Sequence, residues 1–147
     1  MRKLTLSVLA LGLLSLPMRA GGLEDFLRRV NVQAQADLDG FRVKVCAQFG
    51  VPDLQVRAVL KGVPSPGDAF MVFELGRMTG APPERVLQTY QARKGQGWGA
   101  IAKELGIKPG SAEFHALKRG DFRLGPGEEK HPGKGKGKDK AKKGRPD

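Results

Sequence analysis

Apolar positions along this chain fall into three regimes. From Leu4 to Leu16 they run unbroken except for small residues. From Leu23 to Leu124 they recur mostly every third or fourth residue, which places them on one face of a helix. After Leu124 they vanish apart from Ala141. The middle regime predicts an all-α fold: one small orthogonal multi-helix domain over residues 23–124, with about five or six short helices, the last two arranged like a helix-turn-helix.

Leu23, Phe26, Leu27 and Val30 mark a first helix, with Glu24 and Asp25 suited to its first turn. Residues 30–45 admit two readings. Val30, Val32 and Ala34, then Phe41, Val43 and Val45, alternate around Asp39-Gly40 as a hairpin would. Leu38, Phe41, Val45 and Phe49 instead form a helical stripe behind Asp37 as N-cap, and length and spacing favour this helix. Gly50 ends it, and Pro52 suits the first position of a short helix running to Lys61. Ser65-Pro66-Gly67-Asp68 supplies a capping hydroxyl, a first-turn proline and a carboxylate three residues on. The helix it opens, Ala69 to Leu75, is apolar nearly all round and must be covered by the others. Gly80 and Pro82-Pro83 punctuate before a stripe of Val86, Leu87 and Tyr90. Gly50, Gly80 and Gly110 recur at thirty-residue spacing, but the similarity is confined to punctuation, so it reads as packing rhythm rather than a repeat array.

Trp98, Ile101, Ala102 and Leu105 share a face, Gly106 closes that helix, and Ser111 caps another carrying Phe114 and Leu117. The outline matches a helix-turn-helix, in which Ala102 permits close crossing. Trp98, His115, Lys118 and Arg119 are the candidate partner surface. Each has a plainer reading: Trp98 as a core residue joining two helices, His115 as a partly buried packing residue. Glu113 beside Lys118 and Arg119 opposes phosphate, so specific nucleic-acid binding is not expected. Gly95, Gly97 and Gly99 follow no strand and lack the lysine and hydroxyl of a phosphate loop.

The first regime changes the setting. Arg2 and Lys3, then thirteen apolar or small residues, then Pro17 and a small-residue exit, read as a secretory signal peptide spanning residues 1–22, with cleavage somewhere in 20–22, against the rival readings of an apolar N-terminal helix of the fold or an uncleaved anchor. A cut after Gly22 places Ala20 and Gly22 at the recognised positions; a cut after Ala20 places the bulkier Met18 there. The stretch is shorter than the roughly 20 residues of a membrane span. The mature protein is therefore expected in the periplasm or outside the cell, with no transmembrane segment after cleavage.

Charge is unevenly spread. Residues 23–124 carry fifteen basic and eleven acidic side chains, a surplus of four; residues 125–147 carry eight and four, the same surplus over far fewer positions. The tail's cations are Lys130, Lys134, Lys136, Lys138, Lys140, Lys142, Lys143 and Arg145. Rich in Gly and Lys, of low complexity and almost without apolar side chains, it is expected to be disordered. These eight are candidate polyanion contacts, for lipid headgroups or acidic polysaccharide of the cell envelope. No aromatic residue interleaves to stack on bases.

Cys46 is alone, so no internal disulfide forms; it reads as a small buried hydrophobe. Cys46, His115 and His131 show no metal-ligand spacing. Neither a catalytic set nor a cofactor loop is legible, although Glu74, Glu84 and Glu104 are carboxylates that folding could gather into one cleft.

The segments Gly95-Gln96-Gly97-Trp98-Gly99, Ile101-Ala102-Lys103, Leu105 to Ser111 and Glu113 to Lys118 resemble a family of small exported bacterial proteins of unknown function. The resemblance covers roughly residues 37–120 and is most specific in the final thirty. It implies a shared helical fold, export and a Gly/Lys-rich end, and it brings no catalytic residue or cofactor. The expected function is a non-enzymatic, envelope-associated interaction module. The alternatives are a helix-turn-helix-like nucleic-acid-binding or regulatory protein, and an envelope enzyme.

Overall fold

In the computed structural model, residues 22–126 are described; residues 1–21, where the signal peptide is expected, and residues 127–147 of the tail lie outside them. The described residues form seven helices and no strand: α1 (Gly22–Ala36), α2 (Leu38–Phe49), α3 (Asp53–Gly62), α4 (Pro66–Thr79), α5 (Pro83–Ala92), α6 (Trp98–Glu104) and α7 (Ala112–Arg119). The all-α fold is as the spacing implies, with one or two helices more than the five or six expected.

The ambiguity over residues 30–45 resolves into two helices. Leu23, Phe26, Val30 and Ala34 are buried along one face of α1, which runs straight through the stretch whose alternation suggested a strand. Val32, half a turn away from that face, is 61% exposed. In α2, Phe41 and Val45 are buried while Val43 faces water. The alternation was thus a by-product of helical spacing. Asp37 caps α2 by accepting the Gly40 N–H at 2.8 Å. A Cβ on Gly40 would press on that carboxylate, which is the mobile end of a side chain and would have to shift. Pro52 sits just before α3, one residue earlier than its expected first helical position.

α4 is the hub. It packs against α1, α2, α3 and α5, and every residue from Ala69 to Gly76 is buried. Phe70 contacts Phe26 at 5.0 Å, Phe49 at 5.5 Å and Phe122 at 6.2 Å between ring centres, joining α1, α2 and the segment after α7. Edge and tilted pairs of this kind add roughly 0.5–1.5 kcal/mol each to simple burial. Glu74 is the one buried charged residue among those described, and it pairs with Arg77 a turn later. Cys46 is only partly buried; it packs against the core rather than sinking into it.

The glycines at thirty-residue spacing do different jobs. Gly50 and Gly80 close α2 and α4 in the left-handed conformation, whereas α6 ends at Glu104 with Leu105 as its cap, Gly106 takes a positive φ just beyond, and Gly110 lies in the following loop. Beyond α7, Leu124 and Gly125 are buried, and the Gly125 N–H donates to Gln48 Oε1 at 2.7 Å. The packed body therefore reaches past Leu124, the end that its apolar pattern suggests.

Candidate partner-binding groove

A groove of about 990 Å³ opens where α1, α4, α5, α6 and α7 converge. It is assembled from local signals first. Ser65 Oγ accepts the Asp68 N–H at 3.2 Å and donates to Asp68 Oδ2 at 2.7 Å, so the cap of α4 also fixes a carboxylate. Asn31 on α1 adds a second tie by accepting the Gly67 N–H at 2.6 Å. The other oxygen of Asp68 accepts the Trp98 indole N–H at 3.1 Å. Trp98 in turn stacks on Tyr90 with 5.0 Å between ring centres. Burial, and then the negative charge of Asp68, push the Tyr90 phenol above its ordinary pKa. One carboxylate thereby links the starts of α4 and α6 and the face of α5.

The opposite wall is α7. Ser111 Oγ accepts the Phe114 N–H at 3.1 Å, and Phe114 and Leu117 turn inward. The ammonium groups of Lys103 and Lys118 lie 5.9 Å and 5.8 Å from the Phe114 ring centre. Both lysines are exposed and rim the groove. Glu24 and Asp68 line it as well, so its edge carries both signs. Gly95 and Gly97, both at positive φ, bring the chain round into α6 at its mouth.

The four candidate surface residues therefore divide. Trp98 is 7% exposed and belongs to the core, while also lining the groove. Lys118 is on the rim. His115 and Arg119 are exposed but do not line the groove, and the Arg119 guanidinium donates to Asp121 at 2.7 Å. The partly buried His115 expected from its neighbours is corrected: on α7 it lies about 100° round from Phe114, which points it at solvent. Tyr90, Asp68, Lys103 and Phe114 are groove residues that sequence reasoning did not single out. The only available signal was Asp68 in the helix-start motif. The tail cations lie outside the described residues.

The three carboxylates do not converge. Glu74 is paired with Arg77. Glu84 and Glu104 border one open depression along α5, where Glu84 accepts from Gln55 at 2.7 Å and Glu104 pairs with Arg93 at 2.9 Å. The Gln55 amide holds the Glu84 carboxyl below the usual range, opposite to the shift a general acid requires. No helix among the described residues is long and apolar enough to cross a membrane. No family model matches the chain, and neither a curated protein nor a solved structure matches it.

Proposed function

We propose that this chain is an exported, non-enzymatic helical module that associates with the cell envelope, its basic tail supplying electrostatic attachment and the α6–α7 groove a surface for a protein partner. The observation that carries the reading is the charge partition. The tail concentrates as large a cationic surplus as the whole helical domain. Near an anionic surface each cation contributes about 1 kcal/mol, screened within a Debye length of about 8 Å at physiological salt. The leader and the resemblance of the Trp98 block to exported proteins support the same compartment.

The test is pelleting with vesicles of anionic or neutral lipid, using the mature protein and a version ending at Pro126. Ending there keeps the Gly125–Gln48 bond. Binding to anionic vesicles should fall at least tenfold on truncation and in high salt, and neutral vesicles should retain neither form. Equal binding by both forms counts against the tail. Preferential retention on duplex DNA favours the helix-turn-helix alternative, in which α7 would be the reading helix.

A further inference from the structure

Gly22 opens α1 pressed against the last residue of α7. A Cβ on Gly22 would collide with the Arg119 carbonyl, and one on Gly120 would collide with the Gly22 carbonyl and the Leu23 Cα. The two backbones meet at a pair of positions where only glycine fits. Gly120 also holds φ 63°, and the Asp121 N–H returns to the Ala116 carbonyl at 3.1 Å, so this end of α7 is firmly closed. Gly22 thus has a role in the folded domain independent of any role in processing.

From this contact we infer that leader removal spares Gly22 and occurs at the Ala20–Gly21 bond, so that the mature chain begins Gly21-Gly22-Leu23. The inference rests on the signal-peptide reading and narrows it. An envelope leader peptidase would catalyse the step: water adds across the Ala20–Gly21 amide, Ala20 departs with the new carboxylate and Gly21 keeps the new amine.

A second argument points the same way. Cleavage after Gly22 would place the terminal ammonium on Leu23, whose side chain is buried at 7% exposure in the first turn of α1. The positive end of the helix dipole disfavours a cation there. Cleavage after Ala20 leaves Gly21 and Gly22 in sequence between that charge and Leu23.

The precursor with Gly22→Ala separates the choices. Alanine is as small as a leader peptidase needs, so processing proceeds whichever bond is cut. If cleavage falls after residue 22, the substitution is discarded with the leader, and the exported product matches wild type in mass and melting midpoint. If it falls after Ala20, the product is one methylene heavier and carries the collision. Its midpoint should then drop by on the order of 5 °C. Amino-terminal sequencing of the exported wild-type protein gives the answer even if that variant fails to fold. A start at Gly21 is expected, and a start at Leu23 overturns the inference. Recovery of the chain with Met1 intact overturns the export reading instead.

Discussion

α4 and α7 are held in place by different means. α4 is surrounded by four helices and buries Phe70, Met71, Val72 and Leu75 without residual exposure, so dispersion and water exclusion fix it from every side. α7, eight residues long, presents only Phe114 and Leu117 to the interior and packs on α1 and α6. Its position depends on a serine cap at one end and the Gly120 closure at the other. α6, shorter still at seven residues, buries Trp98, Ile101 and Ala102 against α5 and α7, and an indole–carboxylate bond ties it to α4. A hub built by packing resists polar substitution at a distance. The wall adds caps and one shared carboxylate to a smaller buried face, so it should loosen before the hub does.

Phe70→Ala should have the largest effect, because the ring touches three other aromatics. Loss of about 3–5 kcal/mol is expected, read as a lower denaturant midpoint with a single transition. A smaller loss, with the groove's fluorescence changing first, would mean the hub is less central than its burial indicates.

Asp68→Ala should cost about 1–3 kcal/mol by leaving the Trp98 indole and the Ser65 hydroxyl without their acceptor. Emission from the chain's one tryptophan should change with it, since the substitution acts directly on that ring. The one tyrosine gives a cleaner readout. Its folded-state pKa lies above the unfolded value, through burial first and Asp68 second. The stability this supplies is present below about pH 10 and is lost as pH rises through the folded-state pKa. Asp68→Asn should therefore bring the ultraviolet titration of Tyr90 part of the way back down, because burial remains. An unchanged midpoint would show that the carboxylate does not reach the phenol.

Ser111→Ala should cost about 1 kcal/mol, and the loss should be local. Amide exchange should quicken across α7 while α4 amides are unaffected. Equal acceleration in both helices would erase the distinction between hub and wall.

Asp53→Asn should matter least. Its hydrogen bonds from Arg42 and then Arg57 hold the carboxyl below its ordinary pKa, so their contribution is present at neutral pH and is lost as pH falls through that lowered value. The cluster is solvated, however, with Asp53 45% exposed, and salt screens it. The melting midpoint should barely move at physiological ionic strength.

The same contrast explains what could be read from the chain. Ser65-Pro66-Gly67-Asp68, Gly80 and Ser111 are local signals whose meaning is complete within four residues, and each stands where it was expected. The all-round apolar run from Ala69 to Leu75 could only be a covered helix. Val30 to Ala36 was ambiguous because Val30 and Ala34 satisfy both a two-residue and a four-residue period, and only packing against the rest of the core decides between them. Asp68 and Trp98 lie thirty positions apart, and nothing in either neighbourhood encodes their meeting. His115 is exposed although Phe114 and Ala116 flank it, because sequence neighbours on a helix point in other directions. The groove is a product of tertiary closure, so its residues could not be gathered from spacing.

The most direct measurement is fractionation of cells producing the full precursor, with the envelope washed at low and then high salt. The processed chain should remain with the envelope at low salt and elute at high salt, and a chain ending at Pro126 should elute already in the first wash. An unprocessed chain in the cytosol, or envelope retention indifferent to both salt and tail, would contradict the proposal of an exported module attached by its charge.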